Sequence, residues 1–471
     1  MEFRIWVETR LDDRILEREL VLQVERPACG IGPEEIGLTL EEGKAVLRKL
    51  QARIVQTQVD MLGAAHRGCC QCGRNQRVKD LRTRTFRTVF GTVQVSCRRY
   101  LRCKCQGGTR ATVWPLHRLQ LSGTSPELQY LYASWGSKVS YRRAAAALGE
   151  LLPISDRGVS HAELRRHTLA IGGRLDMRVT EPDEYDWPEP MREPVTPAQS
   201  LNVAIDGTYV RADRVMGLAE YHVVAGRIER EGRLGSYFAW VAQHPMCDAE
   251  AFMKAALDDH GLTQTSRVRV LADGADSLSN LVSAATEKST NRVLDWFHIS
   301  MRLRPIEQMS PGIALIVGDA DPILTELLRE KIHRVRFQMW NGKWRAALDR
   351  LGAIYRITKK FLGLLSSTDA ERIGRFRKHM LELRDYLCRN QAASRNYAQD
   401  RRKGLRISSA LAESAMNHLV NERMGKLQPM RWSAEGAHLL LQVRCAVLDN
   451  RLESLFREWL PRFRPPTHSP P

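Results

Sequence analysis

The sequence predicts a multidomain protein of the α/β class, and three observations carry this prediction. The chain has 471 residues, 43% of them hydrophobic, which is enough to bury several separate cores. A proline-rich acidic segment at residues 180–199 divides it into two parts of different character. Before that segment, strand-like and helical runs surround a cluster of cysteines, whereas after it strands and helices alternate. We therefore expect several small modules followed by one larger α/β domain.

The chain is strongly basic, and its charge is unevenly distributed. It has 72 Lys and Arg against 54 Asp and Glu, a formal net charge of +18 and a pI near 9.7. Residues 66–110 hold twelve basic side chains and a single acid, Asp80. Such a concentration favours a polyanionic partner, and double-stranded DNA is the leading candidate.

The sequence predicts no membrane partner. No stretch approaches the ~20 consecutive apolar residues that a bilayer span requires. Residues 1–26 alternate charged and apolar side chains, unlike the uninterrupted core of a signal peptide. We expect a cytoplasmic, nucleoid-associated protein.

Residues 1–65 predict a small α+β module. Two strand-like runs, EFRIWVE and LERELVLQVER, precede a stretch with apolar residues at helical spacing. Thr39 stands where the N-cap of that helix is expected. The apolar face suits ordinary core packing, and a dimerisation helix is the alternative.

Residues 66–122 predict a zinc-ribbon-like basic module. Two cysteine pairs bracket a two-strand pattern that is broken at Gly91. Four of the ten cysteines are the candidate ligands of a structural Zn²⁺: Cys69, Cys72, Cys103 and Cys105. The second pair departs from the usual C-x2-C spacing, so Cys70 or Cys97 could replace a ligand, and small buried thiols without metal are the alternative. Four thiolates leave no open catalytic position, so zinc here would stabilise the fold.

The sequence of residues 123–179 predicts three helices, with a break at residues 152–154. Ser160 and His161 lie at the start of the third helix, as the last helix of a helix-turn-helix would place them in the major groove. Helix triplets also occur in proteins that do not bind DNA. The candidate DNA contacts of the two basic modules are Arg82, Arg84, Arg87, Arg98, Arg99, Arg102, Arg165 and Arg166.

Residues 180–199 predict a linker. They hold five prolines and six acids against a single Arg192, and proline at that density prevents regular helix or central strand. We therefore place a domain boundary there and assign residues 200–471 to one catalytic domain.

The order of elements after the linker reads β-β-β-α-β-α-β, which is the order of an RNase H-like fold. In that fold the first strand lies centrally beside the fourth. Asp206 interrupts the first strand and Asp273 closes the fourth, so the two carboxylates should meet. Burying them is costly unless a cation is bound. The alternatives are an Asp-Gly hairpin turn at Asp206 and a turn or cap at Asp273, with Asp276 as the capping residue.

Further polar residues follow these strands. Asp295 and His298 lie in the predicted fifth strand, RVLDWFHI, and would ligate or orient a metal or contact DNA, unless Asp295 caps a helix and His298 packs beside aromatic neighbours. Residues 306–404 are predicted to be an all-α insertion. Glu413 lies on a later helix, on a polar edge with Asn417 and His418. Glu422, which could form a surface pair with Arg423, and Glu435 compete with it.

Asp206, Asp273 and Glu413 are the candidate ligands of two Mg²⁺ ions. Such a pair activates water or a 3′-hydroxyl against a phosphodiester. The sequence therefore predicts nucleic-acid strand transfer.

Over essentially its whole length the chain resembles bacterial insertion-sequence transposases of the ISKra family, and more distantly the Mutator-like DDE group. The resemblance rests on the order of these motifs: GLTLEEGKAVLRKLQ, CCQCG, YLRCKC, VAIDGTYV, VLADGADSL, LDWFHISMRL and LAESAMNHLVNERMGKLQPMRWS. It implies a DDE transposase that binds terminal inverted repeats and performs Mg²⁺-dependent hydrolysis and transesterification at element ends. The matching catalytic positions are Asp206, Asp273 and Glu413, with Asp295 as the rival for the second acid.

The resemblance also implies a homo-oligomer that acts on element ends and target DNA. Two other functions remain open from the sequence. One is a DNA-binding regulator with an inactive catalytic domain, and the other is a structure-selective nuclease that cuts branched DNA without joining ends.

Overall fold

The computed structural model describes residues 1–11, 14–29, 32–106, 111–119, 123–154, 159–181, 196–274, 276–318, 322–361, 366–408, 410–425 and 430–465. The chain forms two compact units. Unit 1 comprises Met1–Gly172 together with the chain from Arg451 onward, and unit 2 comprises Gly173–Asn450. None of the described helices combines the length and apolar character needed to cross a bilayer.

The helices and strands follow one another in this order along the chain. The first part contains β1 (Glu2–Leu11), β2 (Arg14–Glu25), α1 (Leu40–Ala65), β3 (Val78–Thr88), β4 (Gly91–Leu101), β5 (Thr112–Val113), α2 (Pro126–Lys138), α3 (Tyr141–Leu151) and α4 (His161–Thr180). The sheet region contains β6 (Ser200–Arg211), β7 (Glu220–Arg230), β8 (Arg233–Val241), α5 (Ala249–Asp258), β9 (Arg267–Ala272), α6 (Asp276–Thr286) and β10 (Asn291–Leu294). The remainder is helical: α7 (Trp296–Gly318), α8 (Pro322–Trp340), α9 (Trp344–Phe361), α10 (Ser367–Arg389), α11 (Tyr397–Arg402), α12 (Ala410–Met416), α13 (Glu422–Met424), α14 (Ala434–Leu448) and α15 (Leu452–Trp459).

Helix α1 begins where the sequence predicts it. The Glu42 N–H donates to the Thr39 hydroxyl at 3.2 Å, and the Thr39 N–H donates to the Glu42 carboxylate at 2.8 Å, which closes a capping box. Val55 and Val59 on the helix pack against Val93 and other buried residues of β4. Core packing is therefore one role of this helix.

The remaining elements of unit 1 form a small sheet and a helix triplet. Strands β3, β4 and β5 are antiparallel neighbours, and the β3–β4 turn ends at Gly91, whose φ of +128° suits glycine. Leu128, Tyr141 and Leu164, one from each of α2, α3 and α4, meet in a common core. Ser160 caps α4 by accepting the Glu163 N–H at 3.2 Å.

The chain from Arg451 onward packs against α2, which corrects the assignment of all residues 200–471 to the catalytic domain. Phe456 lies 5.5 Å from Tyr130, and the Arg464 Nε donates to Glu127 at 2.8 Å. No local pattern indicates this packing, because the partners are more than 300 residues apart. The boundary between the units also falls inside α4 rather than at the predicted linker, of which residues 182–195 lie outside the described chain.

In unit 2, five strands of the described chain form one mixed sheet in the order β10-β9-β6-β7-β8. Strands β6, β7 and β8 are successive antiparallel neighbours, whereas β9 and β10 run parallel to β6. The first strand is therefore central and lies beside the fourth, as the sequence predicts. Leu201, Val203 and Ile205 point to one face, where they pack with residues of α5 and α6.

The helical region after the sheet begins at Trp296, ten residues earlier than predicted from the sequence. The run RVLDWFHI is therefore not one strand: β10 ends at Leu294 and WFHI is the first turn of α7. The cause is Asp295, whose Oδ1 accepts the Phe297 N–H at 2.8 Å and so caps the helix. Helices α7 to α10 then share one large buried core that also contains Leu271 of β9.

Candidate metal centres

Three aspartates lie level with one another in the unit 2 sheet: Asp206 in β6, Asp273 directly after β9 and Asp295 directly after β10. The register of β6 and β9 pairs Ala204 with Leu271, and continuing it by two residues places Asp206 level with Asp273. The Asp295 N–H donates to Ala272 O at 3.1 Å, which extends the β9–β10 ladder and places Asp295 level with Asp273. Partner residues of neighbouring strands share a face and lie about 4.8 Å apart. The carboxylates of Asp273 and Asp295 are near enough to Asp206 to raise its pKa, so the row is an acidic cluster.

The row exists because β6 does not turn at Asp206. The strand runs unbroken from Ser200 to Arg211, so the hairpin-turn interpretation of Asp206-Gly207 is wrong. Glycine at position 207 is explained by the neighbouring strand and not by a turn. A Cβ at Gly207 would lie 2.5 Å from the Nε2 atom of His222 on β7, so a larger residue would force that ring to move.

The electrostatics of the row disfavour the ionised form of Asp206, the member of the row on β6. Burial raises the pKa of Asp206, and the nearby carboxylates of Asp273 and Asp295 raise it further. The Gly207 N–H, which donates to the Asp206 Oδ1 at 2.7 Å, and the His298 ring act in the opposite direction. A bound cation would relieve the repulsion, because it favours the ionised form of every acid in the row.

Asp295 caps α7, as one of the sequence alternatives predicts, and also holds the His298 ring. It is fully buried, and its Oδ1 caps α7 while its Oδ2 lies 2.6 Å from the His298 Nδ1. The bond to Asp295 raises the pKa of His298, with smaller contributions from Asp206 and Asp273, although burial opposes the shift. Both oxygens of Asp295 are therefore engaged by its own helix, whereas Asp273 is only half-buried.

The end of β9 is fixed by residues that the sequence analysis missed. The Tyr386 hydroxyl donates to Asp273 O at 2.6 Å, and the Arg292 Nη2 donates to Gly274 O at 2.9 Å. Gly274 has a φ of +106°, and a Cβ there would meet the Asn390 side chain at 2.7 Å. Tyr386 lies on α10 and Asn390 caps the C-terminal end of that helix, more than 100 residues away in sequence, so no local pattern links them to the acidic row.

Glu413 lies on α12, which packs against β6 and β7, the strand of Asp206 and its neighbour. Its side chain is exposed. In the described part of the chain, neither Asp206, Asp273 and Glu413 nor Asp206, Asp273 and Asp295 form a group whose ligand atoms all lie within 4.8 Å of one another. The structure thus brings the aspartates together in one row and leaves Glu413 on an adjacent helix.

Glu422 and Glu435 are the competitors of Glu413, and the contacts described for Glu422 involve residues other than Arg423, its predicted partner. Glu422 contacts His418 at 2.9 Å and Arg444 at 3.6 Å, whereas the predicted partner Arg423 is fully buried over the Trp432 ring. Residues 417–421 form a π-helical turn, so Asn417 and His418 do not continue the regular α-helix of Glu413. Turns of this kind often occur at functional sites. Glu435 is exposed in the first turn of α14.

Asp206→Asn is expected to raise the thermal unfolding midpoint of the metal-free protein by roughly 2–4 °C. The substitution removes a carboxylate that burial and two acidic neighbours disfavour. Added Mg²⁺ or Mn²⁺ should stabilise the wild type and have a much smaller effect on the variant. Asp385→Asn, at an exposed position of α10, is the control and should behave as wild type. Equal metal-induced shifts in wild type and Asp206→Asn would rule out a cation at Asp206.

The second candidate centre is a cluster of four cysteines in unit 1. The sulfur atoms of Cys69, Cys72, Cys103 and Cys105 all lie within 4.8 Å of one another. Cys69 and Cys105 are 3.4 Å apart and Cys72 and Cys103 are 3.6 Å apart, too far for disulfides. A tetrahedral Zn²⁺ with Zn–S bonds of about 2.3 Å separates its sulfurs by about 3.8 Å. The four thiols therefore could bind a metal such as zinc.

The pKa values within the cluster diverge, as expected for thiols that cannot all ionise without a metal. Backbone N–H groups of Cys72 and Gln71 lower the pKa of Cys69 to about 6, and the N–H of Cys105 lowers that of Cys103. The neighbouring thiols raise the pKa of Cys105. A cation shared by the sulfurs would favour the thiolate at every position.

The alternative ligands are placed outside the cluster. Cys97 is buried among Val55, Val95 and other apolar residues, and burial raises the pKa of its thiol. Cys70 is exposed, and its sulfur is not among the four that converge. Neither cysteine therefore replaces a ligand in this arrangement.

The candidate DNA-binding arginines differ in how far they are engaged inside the chain. Asp80 holds Arg99, whose Nε donates to its carboxylate at 2.6 Å, and Arg166 pairs with Glu163 at 2.6 Å. Arg84 and Arg87 are half-buried. The remaining four are exposed: Arg82, Arg98, Arg102 and Arg165. The Arg82 Nε also lies 3.9 Å from the Asp80 carboxylate, and all four guanidinium groups are exposed to a polyanion.

No protein-family model matches this chain, and no curated protein is significantly similar to it. The resemblance to ISKra transposases therefore stays a prediction from the motifs. The features of the chain that bear on function are the acidic row, the four cysteines and the exposed arginines.

Proposed function

We propose that this chain is a DDE-type DNA transposase whose unit 2 is an RNase H-like catalytic domain. The observation that carries the proposal is the row of Asp206 and Asp273 on neighbouring parallel strands, one in the central strand and one at the end of the next. The strand order supports it, because β6 to β8 are antiparallel and β9 and β10 continue parallel to the first strand. The motif order and the basic charge agree with a DNA substrate.

The chemistry of the donor groups fits divalent cations. Carboxylate oxygens are the ligands that Mg²⁺ prefers, and the raised pKa of Asp206 marks a position where a cation would be stabilising. Asp206 and Asp273 would hold the cations, with Glu413 of α12 as the third ligand. When bound, two such ions supply an activated nucleophile and neutralise charge on the leaving oxygen.

The other residues of the site would prepare it for this chemistry. Asp295 fixes the start of α7 and holds the His298 ring by the 2.6 Å bond. Because that bond raises the pKa of His298, the imidazole keeps its proton more readily and can pair with a phosphate oxygen. Tyr386 keeps the backbone at Asp273 in place.

Unit 1 would supply the contacts to DNA. Its four-cysteine cluster would hold Zn²⁺ and so fix the β3–β4 hairpin, and α2 to α4 would act as a helix-turn-helix with α4 in the major groove. Arg82, Arg98 and Arg165 would contact phosphates, which positions the protein without reading sequence.

The test uses the DNA that flanks the gene. Purified protein is incubated with linear fragments carrying the candidate inverted repeats, with branched junctions, and with Mg²⁺, Mn²⁺ or EDTA. We expect metal-dependent nicking at the repeat ends followed by joining to target DNA. Asp206→Asn should keep repeat binding in a gel-shift assay and lose cleavage.

The other outcomes identify the alternatives. Repeat binding without cleavage in any divalent metal would indicate a regulator. Cleavage of junctions without joining of linear ends would indicate a structure-selective nuclease. Loss of binding together with cleavage in Asp206→Asn would mean that the variant is misfolded or that the site is assigned wrongly.

A further inference from the structure

The N-terminal hairpin presents an unpaired strand edge. In the described chain β1 pairs with β2 and with no other strand, while β2 also packs against α1. Large apolar side chains remain exposed along β1, including Phe3 at 55%, Trp6 at 44% and Leu11 at 45% of their full accessible area. A long apolar edge strand of this kind is a template for pairing with another strand.

The edge of the hairpin is protected neither by a proline nor by a bulge in β1. A two-stranded hairpin is marginal by itself and needs further strands or a helix to pack against; here β2 packs against α1. The two irregularities in the β1–β2 register skip Val21 and Leu16, so both extra residues are on β2. Strand β1 stays regular over ten residues, and bulges do not deflect its outer edge.

The charges of β1 are complementary to those of a second β1 that runs in the opposite direction. Glu2, Arg4, Glu8 and Arg10 alternate in sign on one face of the strand, with Trp6 at the centre. If two copies of β1 run antiparallel about Trp6, Glu2 lies opposite Arg10 and Arg4 lies opposite Glu8. On the other face Ile5 lies opposite Val7 and Phe3 opposite Thr9, so every pair is favourable or neutral.

We propose that β1 pairs antiparallel with β1 of a second copy of this chain, centred on Trp6, and joins the two hairpins into a four-stranded sheet. A two-fold axis produces this kind of contact, in which Glu2 of each copy meets Arg10 of the other and Arg4 of each copy meets Glu8 of the other. The existing contacts within the strand, Arg4 with Glu2 and Arg10 with Glu8, would extend across the axis into a network of eight charges. This inference is independent of the proposed function.

The charges select one register among the alternatives. Moving the antiparallel pairing by two residues in either direction sets Glu2 opposite Glu8 or Arg4 opposite Arg10. A parallel, in-register pair sets each charge opposite itself. Like charges directly opposite are destabilising. The register centred on Trp6 is therefore favoured over its nearest competitors.

The test compares the full-length protein with two charge-reversal variants by sedimentation velocity across the micromolar range. We expect the wild type to have the mass of two 53.7 kDa chains. Arg4→Glu and Glu8→Arg should each weaken the dimer by about tenfold or more, because two symmetry-related pairs change from attraction to repulsion. Glu371→Arg, an exposed charge reversal on α10, is the matched control and should leave the mass unchanged.

Mixing the two variants makes the test specific to this register. In a mixed dimer, the glutamate introduced by Arg4→Glu in one chain faces the arginine introduced by Glu8→Arg in the other. The unchanged Glu8 of the first chain likewise faces the unchanged Arg4 of the second, so an equimolar mixture should dimerise as tightly as the wild type. A monomeric wild type, single variants that dimerise normally, or a mixture as weak as its components would each overturn the proposal.

Discussion

Asp273→Asn is expected to lower the rate of metal-dependent DNA cleavage on the order of 10³-fold, the loss that typically follows removal of a group stabilising charge in the transition state. The half-buried Asp273 carboxylate lies level with Asp206 on the neighbouring strand. Asparagine keeps the size of the side chain but removes the charge that a cation requires. DNA binding and the thermal midpoint should change little. Initial cleavage rates on a linear repeat end, measured at saturating Mg²⁺, give the comparison.

Asp295→Asn is the matched control for this prediction. Asparagine is also a good N-cap residue, so the variant should keep the start of α7. It weakens the bond to His298, and cleavage should fall by about tenfold or less, since Asp295 acts through that ring. A larger loss in Asp295→Asn than in Asp273→Asn would reverse the assignment and make Asp295 the second catalytic acid.

Cys72→Ser is expected to abolish zinc binding and unfold the β3–β5 region of unit 1. A structural Zn²⁺ site contributes about 10–16 kcal/mol to folding, far more than a small hairpin can replace. The sulfur of Cys72 is one of four that converge within 4.8 Å. Metal analysis should give one zinc per wild-type chain and much less than one in the variant, with loss of repeat binding.

Cys70→Ser is the control for the zinc prediction, because it removes a neighbouring exposed thiol that lies outside the cluster. Its zinc content and repeat binding should equal those of the wild type. A wild type that contains no zinc after purification in zinc-supplemented buffer, or a Cys72→Ser variant that binds DNA normally, would contradict the structural role.

Local patterns in the sequence were sufficient for much of the fold. The alternation of apolar residues predicted strands β6 to β9, and Thr39 as an N-cap residue predicted the start of α1. The cysteine spacing predicted the four sulfurs that converge, although it left Cys70 and Cys97 as alternatives. These features depend on neighbours along the chain, which a single sequence displays.

Features that depend on distant residues were not predicted. The residues from Arg451 onward pack on α2 through Phe456 and Arg464, and nothing near them in sequence indicates that partner. Tyr386 holds the end of β9 from 113 residues away. The prediction of a strand through WFHI was wrong for a local reason. Apolar and aromatic residues occur in both strands and helices, and the cap that Asp295 provides starts a helix here.

The position of Mn²⁺ in crystals of the wild-type protein, located by anomalous scattering, tests the acidic row without relying on any activity assay. We expect a manganese peak in contact with carboxylate oxygens of both Asp206 and Asp273, with Glu413 of α12 close enough to complete the site. Crystals at millimolar Mn²⁺ with no peak on this row, or with manganese bound elsewhere only, would contradict a metal-dependent catalytic centre at these residues.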